Sequence, residues 1–105
     1  MRKFTAQQLH QRLQNSEPPF LLDVRENWEF AYCHIEHSVL IPMGQIPLNL
    51  DKLDPTRETV VICHHGIRSR QVALFLEHQG FEDVINLEGG VSDWSSKVDS
   101  QMPRY

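Results

Sequence analysis

At 105 residues, the chain has room for one hydrophobic core and no second domain, so residues 1–105 are expected to form a single unit. Forty per cent of residues are hydrophobic and 23% are charged, the balance of a folded globule and not of a disordered tail. The formal net charge is −4 with no basic stripe, which argues against a nucleic-acid partner, and no run approaches a membrane span of about 18 apolar residues.

Met1-Arg2-Lys3 could open a signal peptide, but residues 5–17 are too polar for the apolar stretch such a leader needs. Thr5 reads as the N-cap of a helix over residues 6–14, with Leu9 and Leu13 at i,i+4 spacing. Pro18-Pro19 ends that region. Phe20-Leu21-Leu22-Asp23-Val24 is a short apolar run of the kind found in strands buried on both faces. A short helix is expected over 26–32, then a brief strand, Val39-Leu40-Ile41, stopped by Pro42. Residues 43–53 read as a loose helix or turn carrying Ile46, Leu48, Leu50 and Leu53.

Thr59-Val60-Val61-Ile62 is the strongest strand signal, β-branched at every position, and it runs directly into Cys63. A helix over 69–79 follows, with Val72, Phe75 and Leu76 on one face and Gly80 closing it. Asp83 to Leu87 form another strand. Gly89-Gly90 turns the chain, and a last helix over 91–97 carries Val91 and Trp94. The tail after Asp99 contains a proline and little apolar content, so it is expected on the surface.

Strand and helix alternate throughout, which predicts an α/β layer architecture with a mostly parallel sheet covered on both sides. Such sheets present ligands at the carboxyl ends of their strands. Two polar clusters fall there, Asp23 to Arg25 and Cys63 to Arg70. With only Cys33 and Cys63, no disulfide framework is available, and two free thiols in a reducing cytoplasm are expected.

The segment Cys63-His64-His65-Gly66-Ile67-Arg68-Ser69 joins a buried strand to a helix. A cysteine there meets converging backbone N–H groups and the positive end of the helix dipole, which favours thiolate over thiol. Gly66 lets the loop curl so that successive amides point inward, and Arg68 adds a permanent charge with a planar fork suited to oxyanions. A lone cysteine ending a core strand is usually a small buried hydrophobe. Gly66, Arg68, Ser69 and the adjacent helix start reverse that reading.

Val61 to Ser69 resembles the active-site loop of the rhodanese family, Cys-x-x-Gly-x-Arg-Ser. Leu22-Asp23-Val24-Arg25 with Glu29 resembles the family's Asp-Val-Arg segment. His34-Ile35 and Ile41-Pro42 resemble its His-Ile…Ile-Pro segment, and Leu87-Glu88-Gly89-Gly90 with Trp94 its closing Gly-Gly…Trp. The four matches come in the family's order and span nearly the whole chain. The resemblance implies a rhodanese-like fold, a five-stranded mostly parallel sheet flanked by helices on both faces. It also implies a thiosulfate sulfurtransferase in which Cys63 is the nucleophile and carries sulfur as a persulfide. Residues His64, His65, Gly66, Ile67, Arg68 and Ser69 would cradle donor and persulfide, with Asp23 and Arg25 as supports. The phosphatases that share this fold place five residues between cysteine and arginine; here there are four, which favours sulfur over phosphoryl transfer.

On this reading no cofactor is needed beyond the covalent persulfide, and no metal is expected. The partners are a small anionic sulfur donor and a thiol or protein acceptor, with no membrane. A persulfide carrier serving a partner protein is the competing reading. Arg25 is expected to pair with Glu29, Arg68 to bind the donor, Ser69 to cap the helix or donate to the loop, and His64 and His65 to face outward as the rim. Cys33 stands where the family usually has glycine, and Glu36-His37 where it has Pro-Gly. This predicts local backbone strain at Cys33 if that glycine has a positive φ.

Overall fold

The computed structural model describes the chain from Met1 to Tyr105. Strand β1 (Arg2–Phe4) leads into helix α1 (Ala6–Arg12). Thr5 starts that helix with a reciprocal cap: Gln8 N donates to Thr5 Oγ1 at 3.2 Å, and Thr5 N donates to Gln8 Oε1 at 2.8 Å. β2 (Phe20–Asp23), α2 (Asn27–Tyr32) and β3 (Val39–Leu40) follow. Met43–Lys52 winds as a 3₁₀ segment that contains Pro47 and is kinked at Asn49. The chain then forms β4 (Thr59–Ile62), α3 (Ile67–His78), β5 (Val84–Leu87) and α4 (Gly90–Lys97).

All five strands run parallel, in the spatial order β1-β5-β4-β2-β3. From β2 the chain goes outward to β3 on one side, then crosses back to place β4 on the other. The carboxyl ends of β2 and β4 therefore flank the point where the winding reverses, the place where open α/β sheets bind ligands. Asp23 pairs in register with Ile62, so Val24-Arg25 and Cys63-His64 leave the sheet side by side.

Side chains alternate between the two faces. Leu21, Val60, Ile62, Ile85 and Leu87 pack with Leu9, Val91 and Trp94 of α1 and α4. Leu22, Val61 and Val84 pack with Val72, Ala73 and Leu76 of α3 and with Ile46. Every residue of β4 and β5 is buried, which explains why these strands read as predominantly apolar runs, with only Thr59 and Asn86 polar. Cys63 continues the alternation of β4 onto the α3 face, whereas Cys33 packs in the opposite cluster.

Several expectations are corrected. β1 was not legible: it is a three-residue edge strand whose Phe4 pairs with Leu87. Helix α3 begins at Ile67, two residues before the expected start, and α1 ends at Arg12. Cys33 is unstrained, with extended backbone at φ −163° and ψ 149°. The positive φ of this turn falls on His37, at 71°. The tail is not merely superficial: Met102 enters the α1–α4 core cluster and Tyr105 reaches the candidate site.

Candidate active site

β4 ends at Ile62, the chain turns through residues 63–66, and α3 begins at Ile67. Gly66 makes this turn possible with φ 95°, a value few other residues adopt. Its N–H donates to Cys63 Sγ at 3.0 Å, and Ser69 N donates to the same sulfur at 3.3 Å. The Ser69 hydroxyl lies 3.3 Å from Sγ. Two backbone amides and a hydroxyl thus converge on one sulfur at the head of a twelve-residue helix.

The loop is held from two sides. Val91 N and Ser92 N, in the first turn of α4, donate to the carbonyls of Cys63 and His64 at 2.9 and 3.0 Å. These are donors that a helix start leaves without intrahelical partners. With the carbonyls turned toward α4, the amides of the loop turn toward the sulfur. The close approach requires Gly90, since a Cβ there would lie 2.2 Å from the Cys63 carbonyl oxygen. On the other side Asn86 Nδ2 donates to the Gly66 carbonyl at 3.2 Å, and Asn86 Oδ1 accepts from the Ser69 hydroxyl.

Cys63 is itself only 1% exposed, yet it forms part of the wall of an open cleft of about 520 Å³. Arg68, His64, His65 and Ile67 line that cleft from the loop side, and Glu26, Trp28 and Glu29 from α2 and its start. His65 stands exposed on the rim, as expected. His64 corrects the expectation: its ring lies half-buried, 4.1 Å from the Tyr105 ring. Burial and the neighbouring His65 push the His64 imidazole below its ordinary value.

The arginine pairings also differ from the expected ones. Arg25 does not form an ion pair with the Glu29 carboxylate. It is fully buried and grips Asp23, with Nη2 donating to Oδ2 at 2.7 Å and Nε to Oδ1 at 2.9 Å. Its remaining contacts include the Cys33 carbonyl at 2.7 Å and the Tyr105 hydroxyl at 2.8 Å. Burial alone would lower this guanidinium, but Asp23 outweighs it and raises the group above its ordinary value. Asp23 and Arg25 are thus supports beneath the site and do not line the cleft.

Glu29 pairs instead with Arg68. Arg68 Nη1 and Nη2 donate to Glu29 Oε1 and Oε2 at 2.8 and 2.9 Å, a bidentate pair across the cleft. The hydrogen bonds from Arg68 outweigh burial and hold the Glu29 carboxyl at about 2. Tyr105 completes the network, its hydroxyl accepting from Arg25 and donating to Glu29 Oε2 at 2.7 Å. Burial, then the bond to Glu29, pushes this phenol up to about 12.

The sequence reading missed Asn86, Tyr105 and Trp28 as parts of this site. Asn86 left a signal, being the polar residue within Val84-Ile85-Asn86-Leu87. Tyr105 left none, because only the folded chain brings the tail to α2.

A family model described as Rhodanese-like domain matches residues 5–97. YtwF of Bacillus subtilis is 37% identical over 98 residues, covering 93% of this chain and 94% of that protein. The thiosulfate sulfurtransferase GlpE of Actinobacillus pleuropneumoniae serotype 3 is 34% identical over 93 residues, 87% of this chain and 86% of its own. The crystal structure of a rhodanese-like domain protein from Staphylococcus aureus superposes with a TM-score of 0.85 at 36% identity, covering 90% of this chain and 91% of that one.

Proposed function

The chain belongs to the family of rhodanese-like domains, and from that premise we propose that it is a sulfurtransferase moving sulfane sulfur through a persulfide on Cys63. One observation carries this reading. Two backbone N–H groups and a serine hydroxyl meet at a cysteine sulfur that opens onto a cleft. The two N–H groups stabilise a thiolate and, after transfer, a persulfide anion, without reorganising between the two.

With thiosulfate as the assay donor, the Cys63 thiolate attacks the outer sulfur. A new S–S bond forms, the old one breaks, and sulfite leaves with its electron pair. Cyanide then attacks the terminal sulfur of the persulfide, releasing thiocyanate and restoring the thiolate. The two half-reactions make a ping-pong cycle. Thiosulfate, cyanide and a cytoplasmic setting belong to this proposal, as does the absence of any cofactor other than the covalent persulfide. A thiol or another protein is the proposed natural acceptor.

The test is intact-mass measurement after exposure to sulfur donors. Wild type gains one reducible sulfur atom, and Cys63→Ser gains none. If no donor adds sulfur to the wild-type protein, Cys63 is not a persulfide carrier. Turnover with cyanide, set beside discharge to protein thiols, then separates an enzyme that cycles alone from a carrier that serves a partner.

A further inference from the structure

We propose that His64 is the hydrogen-bond donor to the transferred sulfur, its Nε2–H binding the outer atom of the Cys63 persulfide. The inference rests on the Cys63 persulfide reading and adds one catalytic residue to it.

The amide cradle serves the inner sulfur. Gly66 N and Ser69 N donate to Cys63 Sγ at 3.0 and 3.3 Å. A second sulfur bonded to Sγ projects beyond them into the cleft and carries the negative charge of the persulfide, which calls for a donor of its own. Most polar side chains of the cleft are excluded from that task. Arg68 gives both terminal nitrogens to Glu29, and the Tyr105 hydroxyl also donates there. The carboxylates of Glu26 and Glu29 accept and do not donate. His65 is exposed on the rim, and Trp28, 63% exposed, stands across the mouth on α2. His64 remains: it follows Cys63 directly, lines the same cleft and is half-buried.

The ring is held in place and in one protonation state. It lies 4.1 Å from the Tyr105 ring and 4.1 Å from that of His65, and the His64 carbonyl accepts from Ser92 N at 3.0 Å. Nδ1 is buried with no hydrogen-bond partner. A buried lone pair without a donor costs less than a buried N–H without an acceptor, so the neutral ring carries its proton on Nε2. Charging the ring would place a second proton on the buried Nδ1. Burial, then His65, also pushes the imidazole below its ordinary value; Arg25 and Arg68 act in the same direction and Glu29 against them. At neutral pH His64 is therefore an uncharged donor with a single N–H, and Nε2 bears it.

The donor works without giving up its proton. An acceptor such as cyanide forms a carbon–sulfur bond to the outer sulfur while the S–S bond breaks and its electron pair returns to Sγ. Cys63–S–S⁻ and CN⁻ become Cys63–S⁻ and SCN⁻, and the Nε2–H bond stays intact throughout. The hydrogen bond lowers the charge on the atom that an anionic acceptor must approach, and the two amides receive the charge that returns.

The test loads the protein with inorganic polysulfide, verifies one added sulfur by intact mass, and titrates the persulfide through the ultraviolet absorbance of its anion. A donor to the anion lowers the titration midpoint, so removing that donor raises it. His64→Leu should raise the midpoint by about one pH unit or more, the loss of one hydrogen bond to a charged group. His64→Gln, whose amide restores an N–H donor, should recover most of that shift. Alkylation of unloaded Cys63 by iodoacetamide should change less than about twofold in either variant, because the proposed bond exists only on the outer sulfur. Should His64→Leu fail to fold, His64→Phe keeps a ring against Tyr105 and carries the same expectation. A midpoint unmoved in the folded variant, or raised as far in His64→Gln, overturns the inference and leaves the persulfide reading standing. So does alkylation that slows in step with the shift, which would mean that His64 acts through the whole loop. No sulfur gained by the wild-type protein overturns both.

Discussion

Asn86 decides which way the Ser69 hydroxyl points. Its Nδ2 is committed to the Gly66 carbonyl, so its Oδ1 faces Ser69 and takes the hydroxyl proton. The lone pairs of Ser69 Oγ then face Cys63 and accept from the thiol. Once the sulfur is anionic, that hydroxyl must rotate to donate to it, leaving Asn86 Oδ1 without its partner. A neutral amide, buried at 5% exposure, thus couples the loop backbone to the state of the sulfur. Asn86→Ala leaves the Gly66 carbonyl and the Ser69 hydroxyl unpaired, and should lower unfolding stability by about 2 kcal/mol, read as a lower denaturant midpoint at unchanged slope. Tyr105→Phe removes a hydroxyl that serves two charged groups, on a residue that is 39% exposed, so about 1 kcal/mol is expected from the same measurement. A midpoint unchanged in Tyr105→Phe would mean that the tail does not stay docked in solution. Both residues were missed in the sequence, but only Asn86 left a signal there, because a polar residue in a fully buried strand needs a partner, whereas nothing local marks a tail tyrosine.

Among the elements, the first turn of α4 is as much part of the active loop as α3 is. Its N–H groups fix the Cys63 and His64 carbonyls, and only a residue without Cβ lets them approach. In Gly90→Ala the new methyl group would fall 2.2 and 2.5 Å from two backbone oxygens of the loop, at a φ of 55°. Neither can yield without moving the loop itself. The cost should be about 3 kcal/mol or more, and sulfur loading of the surviving folded fraction should fall as well. Unaltered loading in folded Gly90→Ala would show that the α4 anchor does not aim the amides. Gly89-Gly90 was legible as a turn, but the close contact that makes it necessary lies between segments remote in sequence. The same distinction runs through the fold. β2, β4 and β5 could be read directly because burial on both faces makes them predominantly apolar. β1 could not, being an edge strand with two exposed residues that exists only by pairing with β5. Likewise Glu29 could be matched to the family pattern, but its partner, Arg68 and not Arg25, depended on how α2 and α3 face each other.

At the scale of the whole molecule, the Glu29–Arg68 pair ties the segment after β2 to the segment after β4, across the point where the sheet reverses its winding. The protein is net negative near neutrality, at −4, so protonating carboxylates first relieves general repulsion and should not by itself unfold it. Glu29 acts in the other direction. Its carboxyl is held at about 2 in the folded chain, chiefly by hydrogen bonds from Arg68, against 4.5 without them. A carboxyl lowered on folding contributes stability that is full above its unfolded value and is lost as pH falls toward its folded one. For Glu29 the loss therefore falls between about pH 5 and 2 and amounts to ~3 kcal/mol at most. Protonation also leaves the half-exposed Arg68 without its counterion and weakens the acceptor of the Tyr105 hydroxyl, so cleft and tail should loosen together. Glu29→Gln keeps the shape of the side chain but cannot titrate. Its urea midpoint should lie below that of wild type near neutral pH, and the difference should close as the pH approaches about 2. Two curves that stay parallel down to that pH would mean that the pair contributes nothing to the acid limb and that the two halves of the site are joined by packing alone.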